Sequence, residues 1–221
     1  MKLLLPIFAS LLFAPALQAQ SPANGIAKNS DAVSVRVLED QVWAHFRQLK
    51  TLSANFSQTD DRGRISKGKM LLMRPGYIRF DYRPQIPFLI VSNKKNMMLI
   101  DYKLRQVQRY PIKKTPLAVL LERQDNLSKQ ITIVAQEIGE GNAIAATVTS
   151  VDKPEYGSLL LIFQRGGKGP AGLKLSGWQA KDGQGGLTTV TLSGLDYKAR
   201  LKKRDFRYKD PRPLRRPGAM R

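Results

Sequence analysis

Arg74 sits in Met73-Arg74-Pro75-Gly76, a turn signal between two apolar-rich runs. A guanidinium there carries five donors in a fixed fork; the plainer reading is an exposed hairpin arginine. The single histidine, His45, lies beside an apolar stripe. With no second histidine, metal ligation or imidazole catalysis has little support, and packing or a surface position fits better. Asp60-Asp61 borders a turn without a partner at ligand-like spacing and reads as a solvated acidic turn. Gly166-Gly167-Lys168-Gly169 resembles part of a phosphate loop. It lies between two strand patterns and lacks the Lys-Ser/Thr and the following helix, so it reads as a hairpin turn. The same holds for Gly183-Gln184-Gly185-Gly186. Cysteine is absent, which excludes thiolate nucleophiles, thiolate metal sites and disulfides. These residues point to binding rather than catalysis, and neither a cofactor nor a metal is expected.

The elements that must position Arg74 are legible from periodicity. Val35, Leu38, Val42, Phe46 and Leu49 recur at helical spacing from Asp31 on, with Ser30 or Asp31 able to cap the start. After Leu52 the period becomes two. Strands are predicted over 54–59, 66–73, 77–82, 88–92, 97–102, 106–110, 131–137, 144–150, 158–164, 173–180 and 187–192. A short helix over 116–121 interrupts them, with Thr115 ahead of a first-turn proline. Short connections favour antiparallel neighbours. The fold class expected is α+β and mostly β. It is a strongly curved antiparallel sheet, an incomplete β-barrel of about eleven strands, lidded by an N-terminal helix and a short central helix over an apolar cavity.

The ends carry their own signals. Met1-Lys2, the apolar run from Leu3 to Ala16 and the small residues of Ala16-Leu17-Gln18-Ala19 predict a secretory signal peptide over 1–19. About 14 apolar residues fall short of the roughly 20 that a spanning helix needs. A flexible leader over 20–30, a single domain over 31–209 and a basic Pro/Arg-rich tail over 210–221 complete the expected organisation. Without a cysteine after the cleavage site, lipid anchoring is not expected. The formal net charge is +20. In a cytoplasmic chain this would suggest nucleic acid; with export, anionic lipid surfaces fit better, each basic residue near one contributing about 1 kcal/mol. A solvated tail is the plainer alternative.

In Tyr77-Ile78-Arg79-Phe80-Asp81-Tyr82, the apolar Ile78, Phe80 and Tyr82 share one face and Arg79 and Asp81 the other. Met98, Ile100 and Tyr102 make a second apolar row, and Met97-Met98 adds adaptable side chains. The short helix offers only Leu117, Val119, Leu120 and Leu121 as cover, which suggests a cavity rather than a filled core.

With these residues assembled, the chain resembles the LolA-type periplasmic carriers of outer-membrane lipoproteins. The resemblance rests on an ordered set: residues 52–59 (LSANFSQT), 68–75 (GKMLLMRP), Phe80-Asp81-Tyr82, Leu89-Ile90-Val91-Ser92 and Thr115-Pro116-Leu117. Order and spacing hold from about residue 32 to 209. The resemblance implies a periplasmic, non-catalytic monomer that shields lipoprotein acyl chains. Cargo comes from an inner-membrane ATP-driven extractor (LolCDE-type) and goes to a LolB-type outer-membrane acceptor or the membrane itself; nucleic acid is not a partner. Arg74 maps onto the family's arginine that holds the lid through backbone hydrogen bonds. The cavity candidates are Phe56, Leu71, Ile78, Phe80, Tyr82, Met98, Ile100, Leu117, Leu120, Leu121, Phe163 and Trp178. Where well-studied relatives carry tryptophan this chain has Leu71, Phe80 and Met98, which implies a more pliable cavity. A carrier of another lipid, or a basic envelope protein on anionic surfaces, are the alternatives.

Overall fold

The computed structural model describes residues 24–115, 117–122, 131–151, 155 and 157–213. The expected signal peptide and the last eight residues of the basic tail lie outside them. Helix α1 spans Asn24–Gln48 and therefore starts inside the stretch read as a leader, beyond Pro22, the last proline before it. Its stripe of Leu38, Val42, Phe46 and Leu49 is buried, as the three-to-four spacing requires.

All eleven expected strands form: β1 (Thr51–Thr59), β2 (Ile65–Met73), β3 (Tyr77–Asp81), β4 (Phe88–Ser92), β5 (Asn96–Asp101), β6 (Gln106–Pro111), β7 (Ile131–Ile138), β8 (Ala143–Ser150), β9 (Ser158–Arg165), β10 (Leu173–Lys181) and β11 (Leu187–Asp196). Helix α2 (Ala118–Leu121) lies between β6 and β7. The strands make one antiparallel sheet in the order β6-β5-β4-β3-β2-β1-β11-β10-β9-β8-β7. The first and last strands meet in its centre, and β6 and β7 are its two edges.

The expected strongly curved, incomplete barrel is corrected here: the sheet is open, neither closed nor strongly curled. A barrel needs an unbroken ladder around its circumference. The chain instead leaves β6 through a 3-10 turn (Ile112–Lys114) into α2, and β7 pairs with β8 only.

Helices cover one face of the sheet, and a strap covers the β2–β6 part of the other. On one, α1 and α2 pack with residues from both halves of the sheet in a single apolar core. On the other, residues 197–213 form a strap with a 3-10 turn at Lys203–Phe206. Leu201, Phe206 and Tyr208 of the strap pack on Leu89, Val91, Met98 and Ile100. The Phe206 ring lies 5.4 Å from that of Tyr77. Arg79 ties the strap down through Nη1, which donates to the Arg207 carbonyl at 3.0 Å. Burying a phenylalanine in this way contributes roughly 1.5–3 kcal/mol.

Candidate functional site

The β2–β3 turn, Arg74-Pro75-Gly76, is where the sheet meets both helices. Its backbone is fixed first. The Arg74 N–H donates to the Lys50 carbonyl (2.8 Å) just past α1, and the Gly76 N–H to the Leu121 carbonyl (2.9 Å) at the end of α2. Gly76 has φ +85°, and a Cβ there would stand 2.6 Å from the Lys94 Cα, so only glycine fits. The Gly76 carbonyl accepts from the Lys94 N–H (2.8 Å) and from the buried Ser92 hydroxyl (2.9 Å), whose oxygen accepts from the Ile78 N–H (2.8 Å).

On this base the half-buried Arg74 side chain spans the two helices. Nη1 donates to the Phe46 carbonyl in the last turn of α1, and Nη2 to the Glu122 carbonyl at the C-cap of α2. Helix ends leave such carbonyls without intrahelical donors and carry partial negative charge, so a cation suits both. The guanidinium also lies 5.7 Å from the Phe46 ring centroid. Burial pulls its pKa down to about 10, against the opposing pull of the Glu122 carboxylate, so it stays cationic at neutral pH.

His45 precedes Phe46 and is fully buried. Its Nδ1–H donates to the Pro170 carbonyl at 2.9 Å, which fixes that tautomer and leaves Nε2 a buried acceptor without a partner. The ring packs edge-on against Phe46, Phe163 and Tyr197. Burial lowers its pKa to about 4; the Arg74 charge adds to this, while the Pro170 and Leu173 carbonyls oppose it. Gln41 donates to the Ala171 carbonyl (3.3 Å), and the Gln48 amide oxygen accepts from the Ala171 N–H (3.2 Å). Three side chains of one helix thus grip the β9–β10 turn. His45 is a packing and positioning residue.

Nine of the twelve cavity candidates lie on the helix side. Phe56, Phe80, Tyr82 and Trp178 form an aromatic chain, with centroid distances of 5.4 Å (Phe56–Phe80), 5.0 Å (Phe56–Tyr82) and 6.0 Å (Phe80–Trp178). The buried Tyr82 hydroxyl donates to the Gln58 amide oxygen at 2.7 Å, and burial pushes its pKa up. Ile78 and Phe163 are buried in the same core as Leu120 and Leu121 of α2, with Leu117 packed against that core.

Leu71, Met98 and Ile100 are not with them, which corrects the expectation of a single lining. The ladder aligns Leu71, Arg79, Val91 and Met98 across β2–β5, and directly opposed residues share a face. That face carries the strap, and all three side chains pack in its cluster. The neighbouring row, Met70, Phe80, Ile90 and Leu99, faces the helices. Met70, Leu72 and Met97 are among the helix-side residues that sequence reasoning missed. Runs such as Met70-Leu71-Leu72-Met73 and Met97-Met98 carry no alternation from which to choose between faces.

Comparison with known proteins follows the same line. A family model described as "Outer membrane lipoprotein carrier protein LolA" matches residues 47–209. The outer-membrane lipoprotein carrier protein of Aeromonas salmonicida is 29% identical over 196 residues, covering 80% of this chain and 90% of that protein. An uncharacterized protein of Rickettsia prowazekii is 30% identical over 104 residues, 47% of this chain and 48% of its own length. A crystal structure of a LolA superfamily protein from Nitrosomonas europaea superposes with a TM-score of 0.45 at 9% identity, over 77% of this chain and 97% of that one.

Proposed function

The chain belongs to the LolA family of outer-membrane lipoprotein carrier proteins, whose role is binding and not catalysis, and we propose from that premise a cycle built on the two helices and Arg74. The protein is exported by its signal sequence to the periplasm and accepts lipoproteins from an inner-membrane LolCDE-type extractor. It shields their acyl chains between the helices and the sheet, then passes them to a LolB-type acceptor or to the outer membrane.

The observation that carries this reading is the Arg74 guanidinium on the end carbonyls of both helices, over an apolar core. Hydrogen bonds to a charged donor contribute about 1.5–3 kcal/mol each. Two of them pin both helix ends to the β2–β3 turn, and lifting the lid must break them together with the apolar contacts of the core. The surfaces then offered to an acyl chain are those of Phe56, Phe80, Trp178 and Ile78, with Leu117, Leu120 and Leu121 on the lid; Tyr82 and Phe163 flank them. Shielding is needed because each buried CH₂ contributes about 0.8 kcal/mol, so one 16-carbon chain in water costs on the order of 12 kcal/mol. Closure on Arg74 recovers the empty state's own contacts and thereby drives release.

The test is release of a triacylated lipoprotein from spheroplasts. The expected result is a soluble complex with this protein that passes its cargo to outer-membrane vesicles. A folded protein that neither releases nor binds any lipoprotein would overturn the reading.

A further inference from the structure

The face of β11, β1, β2 and β3 turned away from the helices carries two polar cross-strand rows, Thr191–Ser57–Lys67 and Ser193–Asn55–Lys69. They border a groove of about 520 Å³ to which Arg83 and Gln85 also contribute. A hollow of about 280 Å³ shares Lys69 and Arg83 with it and adds Arg79. The one carboxylate lining either, Asp81, is already held by Arg79 at 2.8 Å and Arg83 at 2.7 Å.

The strap extends this surface. Leu201, Phe206 and Tyr208 turn toward the sheet, while Lys198, Arg200, Lys202, Lys203, Arg204, Arg207, Lys209 and Arg212 are exposed. Only Asp205 and Asp210 oppose these eight cations between residues 198 and 213, and Asp210 is taken by Arg212 at 2.5 Å. The strap reaches β6, where Tyr208 shares a cluster with Val107 and Asp210 feels the charge of Arg109. Seven strands side by side, β11 to β6, extend over roughly 29 Å.

We propose that this strap-bearing face docks the protein on an anionic phospholipid bilayer, with headgroup phosphates over the Lys67–Lys69–Arg83 groove. Hydroxyls, a carboxamide and cations side by side are the donors that phosphate oxygens need. The breadth of the surface suits many headgroups at once. Stacking on bases has no support, since Tyr110 is the one exposed aromatic ring among the described residues. The helices and Arg74 lie on the opposite face, so docking leaves the latch untouched, and the inference needs no cargo role to hold.

The test uses two fourfold variants of equal charge in the purified protein. One replaces Lys67, Lys69, Lys203 and Lys209 by Gln, all exposed on this face. The other replaces Lys50, Lys113, Lys114 and Lys168 by Gln, exposed elsewhere. Both are expected to keep the wild-type far-UV spectrum and melting midpoint. Partition is measured on phosphatidylcholine vesicles with and without phosphatidylglycerol, at low and high salt. About 1 kcal/mol per basic residue corresponds to about fivefold in partition each, so the face variant should lose on the order of a hundredfold or more. The control variant should lose only a few-fold, and binding should require phosphatidylglycerol and fall with salt. Equal losses in both variants would reduce the effect to net charge and overturn the proposal. So would absence of binding to phosphatidylglycerol vesicles, or double-stranded DNA or polyglutamate binding lost by the face variant while vesicles are ignored.

Discussion

Arg74 and His45 act on the same last turn of α1: Arg74 Nη1 holds the carbonyl of Phe46, the residue after His45, and the Arg74 charge helps to keep the His45 imidazole neutral. The two fastenings of the helix are therefore coupled. His45 fastens α1 to the β9–β10 turn through Pro170, and Arg74 fastens it to α2 through Glu122. Each contact is made to a backbone carbonyl, so no acidic side chain is needed at the centre of the site.

Replacing Arg74 separates closure from binding. Arg74→Leu is expected to lower stability by about 2 kcal/mol, because two charge-assisted bonds go and only some apolar burial returns. It should still accept lipoprotein, since an unlatched empty state is easier to open, but transfer it poorly, since closing no longer drives release. Arg74→Lys keeps the charge without the fork and should fall between. Denaturant titration and a two-step transfer assay check this; wild-type transfer by Arg74→Leu would reduce Arg74 to a structural residue.

His45 makes stability depend on pH in a defined window. Its folded pKa of about 4 lies below the ordinary 6.5, so the unfolded chain binds the proton more readily. Stability is fully present above about pH 6.5, falls as pH drops toward 4 and levels below that, a loss on the order of 3 kcal/mol. Urea midpoints at pH 7 and pH 4.5 should show the drop in the wild type and not in His45→Gln. An equal drop in both would place its origin elsewhere.

The strap should behave as part of the core. Phe206→Ala is expected to cost about 3 kcal/mol and Phe206→Leu less than about 1.5 kcal/mol, as for other buried aromatic positions. Thermal melts give the ranking, and amide exchange in β3 and β4 should accelerate in the alanine variant. A loss below about 0.5 kcal/mol would mean that the strap lies loosely on the sheet.

The strap also explains why some of the fold was legible in sequence and some was not. Strands that keep a polar residue on one face, such as Tyr77–Asp81, reveal both their existence and their inward side. Phe88–Ser92, Asn96–Asp101 and the end of β2 are covered on both faces, and such strands read as continuous apolar runs. Their existence is legible and their parity is not, so from sequence Leu71, Met98 and Ile100 read as sharing a lining with Phe80. The strap itself is masked by its charge: its apolar residues at 201, 206 and 208 are scattered among eight cations. Arg74 stands out in sequence through its turn and the resemblance. Its actual partners, two helix-end carbonyls, have no side-chain signature.

The division of the sheet into a helix side and a strap side predicts which residues touch cargo. Phe80 and Met98 are both nearly fully buried, but the ladder sets Phe80 in the row facing the helices and Met98 in the row beneath the strap. A photoreactive phenylalanine at Phe80 keeps the aromatic shape and should crosslink to an acyl chain of loaded lipoprotein. At Met98 the same residue lies across the sheet and should crosslink instead to the strap around Phe206. In the apo protein, position 80 should label only residues of the helix-side core, such as Phe56 or Trp178. Mass spectrometry of the adducts reads the outcome directly. Acyl-chain adducts from position 98 as abundant as those from position 80 would overturn the assignment of cargo to the helix side.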